Sequence, residues 1–135
     1  MNKYTFETDK NFNTDFKKYH DRYVCPCCSY PTLHGRVSYE ICGLCDWEDD
    51  GQDDHNADDV LGGPNQDYSL REAQENFKAH FTMYRTSDQA PFKRFTKEKV
   101  IEIKELYDLA LSTDDTIEID NLFRHARRLE DSLRK

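Results

Sequence analysis

The stretch "CPCCSYPTLHGRVSYEICGLCDW", residues 25–47, contains every cysteine of the chain: Cys25, Cys27, Cys28, Cys42 and Cys45. Cys25 and Cys28 are spaced as C-x2-C, and so are Cys42 and Cys45, with thirteen residues between the pairs. Two such turns are the sequence mark of a four-thiolate zinc site, because a tight knuckle brings two sulfurs toward one cation. The ligand set read from this spacing is Cys25, Cys28, Cys42 and Cys45, with a structural Zn2+ as cofactor. Cys27 falls inside the first knuckle. It reads either as a small packed side chain or as a reactive thiol. The surrounding acids disfavour the second reading, since reactive thiols need cationic neighbours. His34 and His55 stand as alternative ligands that could replace a cysteine.

Outward from the cysteines, "YPTL" and "VSYEI" read as strands turned at His34-Gly35, which makes a hairpin between the knuckles. Phe12, Phe16, Tyr19 and Tyr23 are spaced 4, 3 and 4 apart, and this predicts a short aromatic-faced helix before it, starting near Asn11 or Asn13. Residues 48–68 read as a long polar loop. Ser69 and Glu72 form an S-x-x-E capping box for a helix over about 70–84, with Leu70, Ala73, Phe77, Phe81 and Tyr84 on its apolar face. Thr96 caps another helix, with Val100, Ile103, Leu106, Tyr107 and Ala110 buried. After a break at "STDD", a last helix from about Thr116 buries Ile119, Leu122, Phe123, Ala126, Leu129 and Leu133. The expected fold class is α+β: a zinc-ribbon-like hairpin with two C-x2-C knuckles, packed with helices, and a C-terminal αα-hairpin. The expected division is a knuckle domain with its lead-in and following helix over 1–89 and a helical hairpin over 90–135, packed on the same domain.

Of the 135 residues, 36% are apolar and 34% charged, with a formal net charge of −8. The imbalance lies in residues 1–90, with 9 Lys/Arg against 17 Asp/Glu; residues 91–135 carry 10 of each. From Asp46 to Asp59 there are eight acids and no Lys or Arg. That disfavours nucleic acid, whose nonspecific binding needs Lys and Arg against phosphates, and favours a basic protein partner. Trp47, Asp49, Asp50, Asp53 and Asp54 are the candidate partner-binding residues. Trp47 also reads as a lid over the cysteines. A calcium loop beginning at Asp46, Glu48 and Asp50 fails at its twelfth position, where Ala57 replaces the bidentate acid. No apolar run predicts a membrane span or a signal sequence, so the expected location is the cytoplasm.

The ordered motifs "CPCCSY", "SYEICGLCDWEDDG", "GGPN" and "SLREA" resemble the cysteine-rich CPCC family of small bacterial proteins over about residues 24–82. Ser29 stands where a glycine is common in that pattern. The resemblance implies a zinc-binding domain, a bacterial origin and a link to toxin–immunity systems. The function expected is a non-enzymatic, zinc-stabilised interaction module, such as an immunity or regulatory protein that masks a basic nuclease toxin. A thiol or zinc enzyme using Cys27 and a nucleic-acid-binding zinc ribbon are the alternatives.

Overall fold

The structure is a computed structural model that describes residues 7–9, 16–88 and 96–132. The chain begins with a four-stranded antiparallel sheet in the order β1-β2-β3-β4. The strands are β1 (Glu7–Asp9), β2 (Phe16–Tyr19), β3 (Arg22–Val24) and β4 (Pro31–Leu33). The aromatic-faced helix expected here does not form. Phe16 and Tyr19 lie in β2 and Tyr23 lies in β3, while Phe12 is outside the described residues. Aromatic residues favour a half-buried pleated surface, and His20-Asp21 supplies a two-residue turn with His20 at φ 57. Tyr19 pairs with Arg22 across that turn.

The hairpin expected between the knuckles is also replaced. "YPTL" does give β4, but its partner is β3, with Tyr23 opposite Leu33 and Val24 opposite Pro31. The first knuckle is therefore the loop of the β3–β4 hairpin. "VSYEI" forms no strand. Val37 and Tyr39 have φ values of 57 and 60, outside the extended region. A β-branched residue rarely adopts such a φ. Here the Val37 amide donates to Asp49 Oδ2 at 2.7 Å, and the neighbouring Arg36 is held by the same carboxylate. A Cβ at Gly51 would lie 3.0 Å from Val37 Cγ1, and Gly51 itself has φ +96, so this tight crossing requires glycine.

Residues 39–42 and 47–49 run side by side as a short second ribbon. Its backbone bonds are Tyr39 N to Asp49 O, Asp49 N to Glu40 O and Cys42 N to Trp47 O, at 2.9–3.0 Å, with Ile41 bridged to Glu48. The second knuckle is the tip of this ribbon, as the first is the tip of β3–β4.

Three helices follow: α1 (Leu70–His80), α2 (Lys97–Ser112) and α3 (Thr116–Ser132). Ser69 Oγ accepts from the Glu72 amide and Thr96 Oγ1 from the Lys99 amide, which satisfies donors left over at each helix start. The capping box at Ser69 is half formed, because the Glu72 carboxylate binds the Arg85 guanidinium instead. α1 stops at His80, shorter than the periodicity predicts. Phe81 takes the left-handed φ of 69 as its C-cap, a position usually given to glycine. Asp115 Oδ1 accepts from the amides of Ile117 and Glu118 at the start of α3.

α2 and α3 pack as an αα-hairpin, with the Tyr107 hydroxyl donating to the buried Glu130 carboxylate at 2.8 Å. Of the predicted stripes, Val100, Ile103, Tyr107, Ala110, Ile119, Phe123 and Ala126 are buried, Leu106, Leu122 and Leu129 are half-buried, and Leu133 lies outside the described residues. One cluster of buried side chains runs from the cysteines through Leu70, Ala73 and Phe77 to both helices of the hairpin. Tyr30 joins them: its hydroxyl donates to Asp108 at 2.6 Å and its ring stacks on Tyr107. Tyr19 stacks on Phe123 at 5.0 Å between centroids. No helix among the described residues is long and apolar enough to cross a membrane.

Replacing Ser69 by Ala should lower stability by about 1 kcal/mol through loss of the cap acceptor. A chemical-denaturation midpoint measures it, and an unchanged midpoint would place the control of this helix start elsewhere.

Candidate metal centre

The two knuckles share one local design. In each, the amide of the first cysteine donates to the carbonyl five residues on: Cys25 to Tyr30, and Cys42 to Trp47. In each, the carbonyl of that cysteine accepts from the amide four residues on: from Ser29, and from Asp46, all at 2.9 Å. The residue after the second cysteine is left-handed in both, Ser29 at φ 68 and Asp46 at φ 74. This conformation carries a steric cost for any residue with a Cβ. It explains why glycine is common at the Ser29 position, and why a short polar residue serves there.

The tips meet. The sulfurs of Cys25, Cys28, Cys42 and Cys45 all lie within 4.8 Å of one another. Cys25 Sγ is 3.7 Å from Cys45 Sγ, and Cys28 Sγ is 3.8 Å from Cys42 Sγ. A disulfide would bring two sulfurs to about 2.05 Å. Four thiolates about 2.3 Å from a tetrahedral zinc would stand about 3.8 Å apart. The observed spacing fits a metal ion and does not fit a covalent bond, and all five cysteines are free thiols.

Buried surroundings resist ionisation without a cation. Burial pushes the Cys25 thiol up to about 11, and the Cys28 and Cys45 thiols well above their ordinary range. Cys42 is buried too, yet hydrogen bonds from Cys25, Cys28, Cys45 and the Thr32 hydroxyl bring it well below that range. Thr32 Oγ1 lies 3.0 Å from Cys42 Sγ, and the Leu44 amide donates to the same sulfur at 3.4 Å. A bound cation would complete this set by stabilising all four thiolates.

Cys27 is 4% exposed and is not one of the four converging sulfurs. Neither His34 nor His55 joins them. The His34 ring bonds instead to Glu40 at 2.9 Å.

A family profile described as cysteine-rich CPCC matches residues 23–98, more than half of the chain. The chain belongs to this family. Comparison with curated proteins and with solved structures gives no match.

The geometry gives the CPCC motifs physical roles. In "GGPN", Asn65 Nδ2 donates to the Glu48 carbonyl at 2.7 Å and Asn65 Oδ1 accepts from the Glu48 amide at 3.2 Å. One buried amide thus clamps the outer strand of the second ribbon. In "WEDDG", Trp47 and Asp49 are both 0% exposed. They present no side chain to a partner, which removes them from the candidate binding face. Asp49 Oδ2 accepts from Arg36 Nε at 2.8 Å, and Asp53 from Arg36 Nη2 at 3.1 Å, while the guanidinium lies over the Phe16 ring at 4.2 Å. Burial alone would lower the Arg36 pKa, and these carboxylates reverse the direction and hold it raised. Asp50 accepts from the Gln52 amide, and Asp53 also caps the short 3-10 helix Asp54–Asn56. Asp54 and Asp58 remain exposed, with Asp58 paired to Arg71, and Asp59 is exposed as well. Arg36 is the residue that sequence reading missed. A lone arginine just before a long acidic run was its signal.

Cys27→Ser should keep its metal and its fold, whereas Cys42→Ser should lose both, because metal binding at such a site is coupled to folding. Metal content and far-UV circular dichroism of the two variants measure this. Equal loss of metal in both would make Cys27 a ligand.

Proposed function

We propose that the four cysteines hold one structural zinc ion and that the domain so stapled is a non-enzymatic protein-interaction module. The observation that carries this reading is the closed, buried set of four sulfurs, with no solvent-facing position left for a substrate. Catalytic zinc keeps such a position open. Cys27, the thiol an enzyme would use, is buried and has no adjacent Lys or Arg in the chain. Reactive thiols are partly exposed and electropositive in surroundings.

The partner class we propose is a basic protein, with the domain in an immunity or regulatory role that masks a nuclease-like cationic surface. The net charge of −8 supports it, since complementary charge speeds encounter and occupies a groove meant for phosphate. The support comes from the outward acids. Asp49 serves the interior, and Asp53 is shared with Arg36.

Protein purified without added metal should carry about one zinc per chain and bind an oligoarginine peptide at a rate that falls with salt. Replacing Asp54, Asp58 and Asp59 together by Asn should slow that association about threefold or more at low salt and leave zinc unchanged. A fully folded metal-free protein would contradict the zinc assignment. A rate insensitive to salt and to the triple change would contradict the acidic surface.

A further inference from the structure

Of the six large apolar side chains that stand open to solvent among the described residues, four come from the segment between β4 and the "GGPN" turn. They are Val37 at 45%, Tyr39 at 60%, Val60 at 57% and Leu61 at 52% exposure. Two buried residues, Asp49 and Gln52, tie the two pairs to one lobe. The Asp49 carboxylate accepts from the amides of Val37 at 2.7 Å and Gly51 at 3.2 Å, and its carbonyl accepts from the amide of Tyr39 at 3.0 Å. A Cβ on Gly51 would lie 3.0 Å from Val37 Cγ1, so these two residues pack against each other. Gln52, the next residue, donates through Nε2 to the carbonyls of Asn56 and Asp59 at 2.8 and 2.5 Å. Val60 therefore follows directly on a residue anchored from beside Gly51.

The first pair is held against the preference of its own backbone. Val37 and Tyr39 have φ values of 57 and 60. Residues with a Cβ are strained there, β-branched ones most, and glycine or asparagine would make the same turn with less strain. Such strain persists only where the surroundings over-determine it, and it gathers at binding sites. Here the Asp49 bonds impose it, and the side chains left facing water are a valine and a tyrosine. The rim of the lobe is acidic. No Lys or Arg occurs from residue 37 to residue 70, and Arg36 is buried. Asp54 and Asp59 are exposed and enter no ion pair among the described residues. Exposed apolar side chains with a polar rim mark a protein-interaction surface, in which the centre holds the partner and the rim steers it.

We infer that Val37, Tyr39, Val60 and Leu61 are the apolar centre of the docking surface for a basic protein partner, with Asp54 and Asp59 on its rim. The inference rests on the interaction-module reading and adds the contact that holds the partner once charge has drawn it in. The occupant is a partner segment whose large apolar side chains are flanked by Lys or Arg. Charge selects it. The same face of a second copy would set Asp54 and Asp59 against like charge, and so would a nucleic acid or an anionic membrane surface. A neutral apolar segment would leave the rim carboxylates facing no cation. Tyr39 is the anchor of the centre, since a tyrosine gives a large, rigid contact with few torsions to fix.

The test is a nuclear magnetic resonance titration of the zinc-loaded protein with three blocked peptides: Arg-Arg-Leu-Trp-Arg-Arg, Arg-Arg-Ser-Gln-Arg-Arg of equal charge, and neutral Gln-Gln-Leu-Trp-Gln-Gln. The first should give saturable shifts at Val37, Tyr39, Val60 and Leu61 and bind about fivefold or more tighter than the second, because only the first buries apolar area. The neutral peptide should bind about threefold or more weaker than the first, because it lacks the charge attraction. Tyr39→Ser and Leu61→Ser together, both at exposed positions, should bring the first peptide down to the affinity of the second, with zinc content and binding of the second unchanged. Equal binding of the first two peptides, or no loss in the double variant, would overturn the apolar centre and leave the acidic-surface reading standing. A neutral peptide bound as tightly as the first would overturn the basic occupant. A dimer in sedimentation that the double variant abolishes would assign the patch to a second copy and overturn the partner. No saturable shift with any of the three would overturn the inference, and salt-dependent binding of oligoarginine by the same sample would show that the interaction-module reading survives it.

Discussion

Four sulfurs brought together from two ribbon tips set the constraint on which the rest of the structure depends. Each ribbon is short, and neither could hold its register alone, since isolated two-stranded ribbons are marginal in water. Their tips are closed by the same pair of backbone bonds, one in each direction around the first cysteine. What joins the tips is the convergence of Cys25, Cys28, Cys42 and Cys45. Without a cation that convergence costs free energy, because buried thiols so close together cannot all ionise. With one it becomes a source of folding free energy, which small domains with modest apolar cores require. The cysteines also belong to the apolar cluster, so the centre and the core are one packing unit.

The acidic segment after the second knuckle has two populations of charge. Asp49 faces inward, Asp53 reaches from the surface, and together they neutralise Arg36, whose side chain is almost wholly removed from water. A buried ion pair of this kind contributes little net stability, but losing one partner leaves a charge stranded and is costly. It also fixes the path of residues 34–40, where Val37 and Tyr39 are held in left-handed conformations. The outward population, with Asp54, Asp58 and Asp59, faces solvent, Asp58 beside Arg71. Negative charge that looks uniform in the sequence is thus divided between an internal electrostatic core and an external surface.

Local features were legible in advance. The C-x2-C spacings name the four converging cysteines, because a knuckle is closed by bonds within six residues. Ser69, Thr96 and the breaks near residues 113–115 mark helix ends through caps that are equally local. The apolar stripes of α2 and α3 give their buried faces. Features that depend on distant partners were not legible. Phe16, Tyr19 and Tyr23 have a spacing that suits a helix, and pairing with β1, β3 and β4 decides for strands. "VSYEI" has strand composition, and the Arg36–Asp49 pair bends it into a loop. Asp49 is one acid among eight, and its burial follows from an arginine thirteen residues earlier. The role of "GGPN" was not legible either: the Asn65 amide bonded to both backbone groups of Glu48 needed coordinates.

The central claim is that Cys25, Cys28, Cys42 and Cys45 form one closed all-sulfur zinc site. X-ray absorption at the zinc K-edge tests it most directly, since the fine structure gives both the element bound and its first coordination sphere. The account predicts four sulfur scatterers at about 2.3 Å, with no nitrogen or oxygen in that sphere. A spectrum with three sulfurs and a light atom at about 2.0–2.1 Å would contradict it, by placing a histidine or an open, solvent-bearing position at the metal.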